Sequence, residues 1–275
     1  MSHAKVDYER YRVKPDQEVA LAEFRTSDDQ EIDKNAGKKH FRRNIRKLKG
    51  YQERLFAERK QSLLIVLQAM DTGGKDSTLR KVAGDLNPQG CTVTGFKAPT
   101  ADELSHDFLW RVHHHAPGAG RIGIFNRSHY EDVLVVRVHG LAPMPLIESR
   151  YGHINDFERT LGDRGTRILK FMLHISKDYQ LERLRRRLRH PDKHWKFNPD
   201  DLKERQRWHD YMEAYEIMLS RCSTDDAPWY VIPAETRWFR NLVVSQIVLD
   251  AFKQMAPEFP KGDFDIEDYP PESLV

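Results

Sequence analysis

The chain has 275 residues, 39% hydrophobic and 32% charged, with 45 Lys and Arg against 42 Asp and Glu for a net charge of +3. Two cysteines, Cys91 and Cys222, exclude a disulfide framework and a zinc cluster, and no apolar run suggests a signal peptide or approaches the ~20 residues of a membrane span. That leaves a highly charged soluble protein, expected in the cytoplasm, of one large or two small domains, whose partners must be read from local charge clusters.

Residues 1–31 are polar and aperiodic, and are expected to wrap over the surface. Residues 32–60 read as a helix in which Phe41, Ile45, Leu48, Leu55 and Phe56 share a stripe, with Gly50 as an interruption. Lys38–Lys49 holds seven Lys or Arg and no acid. A solvated helix face is the plainer reading, and a docking surface for a long polyanion the sharper one.

Ser62–Lys81 organises the rest of the chain. Leu63–Leu67 is an apolar run suited to a buried parallel strand. The chain then turns through Gly73-Gly74 and sets Lys75 at a helix start, with Asp76, Ser77 and Thr78 following. Backbone N–H groups, the positive end of the helix dipole and a lysine together make a cradle for phosphate. The match to the phosphate-loop pattern is irregular: Ala69 stands at the first glycine position and Asp76 at the hydroxyl position. Asp71, inside the loop, would repel bare phosphate but suits a magnesium ion set between it and the phosphates.

A helix over Lys75–Leu86 ends at Asn87-Pro88-Gln89-Gly90. Cys91–Phe96 reads as the second strand, with Lys97 behind it. Thr100 and Glu103 have capping-box spacing, which predicts a helix to about His115; His113, His114 and His115 then point to different faces and are taken as surface. Arg121–Phe125 is the third strand, leading into Asn126, Arg127, Ser128, His129, Tyr130, Glu131 and Asp132 and a helix through Val138. Residues 144–162 are helical. Thr166–Ile175 is the fourth strand, followed by a helix from Lys177, capped by Ser176 and stopped by Pro191. A helix over Asp200–Arg221, a fifth strand Trp229–Ile232, a helix over Thr236–Met255 and an acidic tail complete the chain.

Strands alternating with helices give a parallel sheet covered on both faces, and ligands bind beyond the carboxyl ends of its strands. Asp71, Lys75, Lys97, Asn126, Arg127, Glu131, Asp132 and Ser176 should therefore converge on one rim. Arg127 is placed to neutralise a transferring phosphoryl group. Glu131 and Asp132 could hold a metal or orient an acceptor, or simply complement a helix dipole. Gln180–Asp210 holds ten Lys or Arg and six acids. Arg183 and Arg187 share a helix face, and a loop with Lys193, Trp195 and Lys196 joins two helices. The pair reads as a lid, about 183–207, that closes over phosphates and excludes water; the alternative is a solvated helical hairpin.

Three segments, AMDTGGKDST, FNRSHYEDV and HISKDYQLERLRRRLRHPDKHWKFNPDDL, resemble the family-2 polyphosphate kinases, and the resemblance runs from about Tyr11 to Pro260. It implies a P-loop kinase fold similar to thymidylate kinase: a three-layer sandwich with a five-stranded parallel sheet and a helical lid. It implies phosphoryl transfer between inorganic polyphosphate and nucleotides with magnesium, or manganese in its place. It also implies metal binding by Asp71, phosphate contacts from Lys75 and Arg127, and guidance of polyphosphate or the transferring group by Arg137, Arg183 and Arg187. Many members end the third strand in Asp-Arg and follow it with Tyr-Asn-Arg. Here Asn126-Arg127 and Tyr130-Glu131-Asp132 stand instead, which leaves Asp71 as chief metal ligand, with Glu131 or Asp132 taking part. The variant resembles the subgroup called class III, associated with phosphorylating both nucleoside mono- and diphosphates.

The expected organisation is an N-terminal extension and helix over 1–60 packed on the core, a P-loop kinase-like core over 61–260 that includes the lid, and a tail over 261–275. The expected reaction is direct in-line transfer from polyphosphate to purine nucleotides, AMP to ADP and ADP to ATP, by a homo-oligomer without nucleic acid or membrane partners. The loop and its neighbours, Gly73, Gly74, Asp76, Ser77, Thr78, Lys97, Lys193 and Lys196, are expected to bind phosphate, polyphosphate or nucleotide. An ATP-dependent nucleotide kinase and a non-catalytic polyanion or nucleic-acid binder are the competing readings.

Overall fold

The computed structural model describes residues 6–269. Strands β1 (Ser62–Gln68), β2 (Cys91–Gly95), β3 (Ile122–Asn126), β4 (Thr166–His174) and β5 (Trp229–Pro233) form a five-stranded parallel sheet in the order β2-β3-β1-β4-β5. β1 is central and buried throughout, so Leu63–Leu67 between its polar ends Ser62 and Gln68 is continuously apolar and shows no alternation. Leu67 pairs with Asn126 of β3, and Gln68 with Met172 of β4. This register brings the carboxyl ends of the inner strands to one edge.

Helices α1 (Lys34–Glu58), α2 (Lys75–Val82), α3 (Ala101–Leu104), α4 (Trp110–His113), α5 (Val135–Val138), α6 (Met144–Asp163), α7 (Lys177–Arg189), α8 (Asp200–Gln206), α9 (Trp208–Cys222) and α10 (Arg237–Met255) connect and flank the strands. α1 and α2 pack with α10, and α6 packs with α9. None of them is long and apolar enough to cross a membrane. The side chain of Asp33 caps α1 by accepting from Asn35 and Ala36 N–H. Gly37 is required by packing, because a Cβ there would lie 2.2 Å from the Trp238 ring. Gly50 does not interrupt α1: Ile45, Leu48 and Leu55 stay buried on one stripe along α10, and that burial outweighs the weak helix propensity of one glycine.

The segment before α1 does more than wrap over the surface: it packs on the core. Val13 N–H donates to the Trp229 carbonyl at 2.9 Å, and Val6, Tyr11, Val13, Val19 and Leu21 are buried. The helix foreseen from Thr100 to His115 is two short pieces. Its capping box forms at Thr100 and Glu103, but Leu104 is exposed and the Asp107 carboxylate accepts from Leu109 N–H, starting a new turn. The helix foreseen over Asp200–Arg221 breaks at Arg207, so α8 lies beside α7 while α9 buries Tyr211, Ala214, Tyr215 and Met218 in the body. Residues 1–5 of the expected extension and 270–275 of the expected tail lie outside the described residues.

A buried polar network stands behind the third-strand loop. Lys170 on β4, fully enclosed, donates to Glu158 at 2.5 Å, to the Tyr130 hydroxyl at 2.9 Å and to the Cys222 carbonyl at 2.6 Å. Tyr130 in turn donates to Glu158 at 2.8 Å. Burial works against the Glu158 carboxylate, but Lys170 and His129 outweigh it and hold its pKa below the ordinary value. Urea unfolding of Glu158→Ala should show a loss of about 3–5 kcal/mol, because Lys170 would remain buried without its counter-charge. A loss under about 1 kcal/mol would mean that the pair is not what secures this region.

Candidate functional site

The turn after β1 is built to present N–H groups. Gly74 has φ +100°, and a Cβ there would lie 2.2 Å from Arg240 Nη1, so both backbone and space demand glycine. Its carbonyl accepts from Thr78 N–H at 2.9 Å, Thr78 Oγ1 at 3.0 Å and Ser77 Oγ at 2.9 Å. That turns the negative end of the Gly74 peptide into α2 and leaves the first N–H groups of the helix facing outward. Lys75, the first residue of α2, donates to the Ala69 carbonyl at 2.7 Å. Burial lowers its pKa, helped by Arg127 and opposed by Asp71 and Glu131.

Arg127, at the end of β3, takes a left-handed backbone (φ 63°) and donates to Asp71 at 2.7 Å and to Glu131 at 3.4 Å. Asn126 donates to Asp76 at 2.8 Å, tying the β3 end to α2. Above them lies a cavity of about 610 Å³, lined by the loop, Lys97, Asn126 and Arg127, and by Arg183, Arg186, Arg187, Lys193 and Lys196 of the α7–α8 hairpin. Burial lowers the Arg183 pKa, and the neighbouring Arg237 and Arg186 lower it further. The hairpin is braced by Arg187, which donates to the Lys196 carbonyl at 2.9 Å and to Asp201 at 2.8 Å. Past Ser77, Arg80 and Arg237 a basic groove continues toward Lys34 and Lys81.

A second cavity, about 590 Å³, lies on the other side of the ion pair. Its walls combine apolar side chains, Met70, Phe96, Pro99, Leu134, Val136 and Leu141, with the cations Lys97, Arg111, Arg127 and Arg150 and the acids Asp71, Glu131, Asp132, Asp200, Asp201 and Glu204. Asp71, Arg127, Phe96 and Lys97 line both cavities. The Asp71–Arg127 pair is thus the partition between a basic chamber and a mostly apolar one. Arg150 donates to the Asp132 carbonyl at 2.9 Å and its carboxylate at 3.3 Å. Burial nevertheless pushes the Asp132 pKa up to about 6, against Arg150 and Arg111.

Of the residues expected on the rim, Asp71, Lys75, Lys97, Asn126, Arg127, Glu131 and Asp132 line one cavity or the other. Glu131 and Asp132 face the second cavity. Three residues do not join. Ser176 lines neither cavity, its hydroxyl capping α7 by accepting from Tyr179 N–H. Arg137 on α5 is drawn away to Glu148 of α6 at 2.6 Å and lines neither cavity. Thr78 is buried, its hydroxyl spent on the Gly74 carbonyl. Arg186, which belongs to the basic cluster read as the lid, joins Arg183 and Arg187 in the basic chamber, whereas Arg111, Arg150 and Arg237 were not foreseen. Arg237 follows β5 closely enough that the strand-end rule, applied to the fifth strand, reaches it; Arg111 and Arg150 are single cations on helices and carry no pattern. The three adjacent histidines are exposed.

Among the described residues no three or more His, Cys, Asp or Glu side chains converge on one point. Asp71 and Asp76 instead offer hard oxygen atoms at the edge of the basic chamber. Such a set fits magnesium shared with phosphate oxygens and water, which needs no closed protein cage.

A family model described as polyphosphate kinase 2 matches residues 31–260. The chain is 48% identical over 256 residues to a protein of Meiothermus ruber named AMP/ADP-polyphosphate phosphotransferase, covering 92% of this chain and 96% of that one. It is 41% identical to an ADP-polyphosphate phosphotransferase of Rhodopseudomonas palustris, over 94% of this chain and 93% of the relative. The crystal structure of polyphosphate kinase 2 from Arthrobacter aurescens TC1 superposes with a TM-score of 0.93 at 44% identity, covering 98% of this chain and 96% of that one.

The raised Asp132 pKa has a measurable sign. The folded protein keeps this proton up to about pH 6, whereas the unfolded chain releases it near 3.8. Asp132 therefore costs stability progressively as pH rises through that window. Relative to wild type, Asp132→Asn should gain about 2–3 kcal/mol between about pH 4 and pH 8 in denaturant titrations. A stability difference that does not change with pH would contradict the assignment.

Proposed function

The chain belongs to the polyphosphate kinase 2 family, and we propose that it transfers phosphoryl groups between inorganic polyphosphate and nucleotides, phosphorylating AMP and ADP. The observation that carries this reading is the pair of chambers meeting at Asp71 and Arg127. A basic chamber continued by a basic groove suits a chain of phosphates with no base to seat. A chamber that joins apolar walls to Arg111, Arg127 and Arg150 suits a nucleotide, whose base needs cover and whose phosphates need cations; of the acids that also line it, Asp71, Glu131, Asp132 and Asp201 are already paired with arginines.

Polyphosphate lies along the loop and groove, held by the α2 N–H groups, Arg183, Arg187, Lys193, Lys196 and Arg237. The acceptor lies in the apolar chamber with its phosphate directed at Arg127. Its terminal oxygen attacks the end phosphorus of polyphosphate; the new P–O bond forms as the bridging P–O bond breaks, and the shortened chain leaves as an anion. The attacking oxygen is already ionised at neutral pH, so no general base is needed. Lys75 and Arg127 face the charge that spreads over the transferring group, and catalysis is chiefly positioning and electrostatics. Magnesium, or manganese in its place, would be held by Asp71 with phosphate oxygens and would supply further positive charge there. The α7–α8 hairpin is the lid: closing it brings its cations onto the donor and keeps water from the reacting phosphorus.

The test is an assay with polyphosphate and magnesium as donor system and AMP or ADP as acceptor, beside ATP with AMP. Polyphosphate should drive AMP to ADP and then to ATP. Lys75→Ala and Asp71→Ala should each lower kcat about a hundredfold to a thousandfold with unfolding unchanged. Transfer from ATP alone, or near-wild-type turnover in Lys75→Ala, would contradict the reading.

A further inference from the structure

Arg240 brings a guanidinium against the back of the phosphate loop with no acid to answer it. It lies in the first turns of α10 and is 2% exposed. Nη2 donates to Ser77 Oγ at 2.9 Å and to Asn241 Oδ1 at 3.0 Å, and Nε donates to Asn241 Oδ1 at 3.2 Å. All of these acceptors are neutral. Nη1 reaches the space that a side chain on Gly74 would fill. Among the described residues no carboxylate forms an ion pair with it. Glu235, the one acid among the described residues lining the adjoining groove, accepts from Ser176 N–H at 2.9 Å. The other charges near Arg240 are cations, and burial together with Arg237 and Arg183 pulls its pKa down to about 10.

Buried charges are ordinarily paired. Arg240 lines the groove beside Ser77, Arg80, Lys81 and Arg237, so the missing partner can arrive as an anion bound there. The contacts also form a relay. Arg240 donates to the Ser77 hydroxyl, which donates to the Gly74 carbonyl. Arg240 thereby fixes the Ser77 proton inward and helps hold the loop with its carbonyl turned away from the groove.

We propose that Arg240 is a positioning residue for the polyphosphate chain, its guanidinium acting through Ser77 and Gly74 as the built-in counter-charge of the phosphates bound along Ser77, Arg80 and Arg237. The inference rests on the functional reading above and adds to it a buried cation whose charge is balanced only when donor is bound. It separates two quantities that usually move together. Removing Arg240 takes an unpaired charge out of the ligand-free protein, yet weakens the donor complex. The acceptor chamber lies across the Asp71–Arg127 partition and does not include Arg240, so nucleotide binding should be insensitive.

The experiment compares wild type, Arg240→Met and Arg240→Lys by calorimetric binding of medium-chain polyphosphate and of AMP, and by ligand-free thermal melting. Arg240→Met should bind polyphosphate about tenfold to a hundredfold more weakly, the range expected for loss of charge-assisted contacts. It should bind AMP as wild type does and melt no lower without ligand. Arg240→Lys should recover part of the polyphosphate affinity. Should Arg240→Met fail to fold, Arg240→Lys and Ser77→Ala carry the test, each weakening polyphosphate and sparing AMP. Unchanged polyphosphate affinity would overturn the proposal. So would equal losses for both ligands with a lowered melting temperature, since Arg240 would then only prop the fold. Wild-type transfer from polyphosphate to AMP is measured alongside. A wild type that binds polyphosphate but transfers nothing would sink the functional reading and leave the Arg240 comparison intact.

Discussion

The 2.7 Å ion pair between Arg127 and Asp71 joins the carboxyl ends of β1 and β3 at the point where two chambers of opposite character meet. Arg127 reaches that point through a left-handed backbone, a conformation that costs a non-glycine residue about 1 kcal/mol or more and persists only where the surroundings fix it. They do so here: its N–H donates to the Leu67 carbonyl, and the Lys170–Glu158–Tyr130 network holds the following turn from beneath. Burial works against the Arg127 charge, and Glu131 and Asp71 more than offset it, so its pKa lies above the usual arginine value. A cation held charged and aimed, with one face toward each chamber, is what transfer between two phosphate-bearing ligands requires.

Around that pair the charge is deliberately out of balance. The whole chain carries only +3, yet the basic chamber gathers Lys75, Lys97, Arg183, Arg186, Arg187, Lys193, Lys196 and Arg237 against Asp71 and Asp76. Repulsion among these cations disfavours the ligand-free arrangement and is relieved by a polyanion. The hairpin that supplies most of them is held chiefly by polar contacts, including Glu204 with His139 and Tyr211 on the body side. α8 buries no residue completely and is tied to α7 by Arg187–Asp201 and by Arg205 donating to Gln180. Few buried contacts and several polar ties are the marks of a segment near the low-stability end of a fold, from which moving lids are drawn.

Much of this could be read from the sequence, and for physical reasons. Leu63–Leu67 is buried on both faces and reads as an unbroken apolar run, and Thr166–His174 is legible as a strand although Arg167 and Lys170 interrupt it, the buried Lys170 being answered by Glu158. The alternation of strand and helix then set the parallel sheet and, through the strand-end rule, the rim on which Asp71, Lys97, Asn126 and Arg127 meet. What escaped depends on single tertiary contacts. Val13 and Leu21 anchor an aperiodic strap one residue at a time, so no window of pattern shows them. The turn at Asp107 and the break at Arg207 each depend on one local conformation within an otherwise helical stretch. Arg137 was lost to Glu148, and Arg111, Arg150 and Arg240 were gained, because helix packing decides where a lone arginine points. The apolar chamber was invisible for the same reason, since its walls come from elements distant in sequence.

If donor and acceptor occupy their chambers together and the phosphoryl group passes directly across the Asp71–Arg127 partition, both must be bound before either product forms. Initial rates measured over a grid of polyphosphate and AMP concentrations test this most directly. Reciprocal plots should intersect, the signature of a ternary complex. Parallel lines, the signature of a phosphorylated enzyme formed before the acceptor binds, would contradict the two-chamber account.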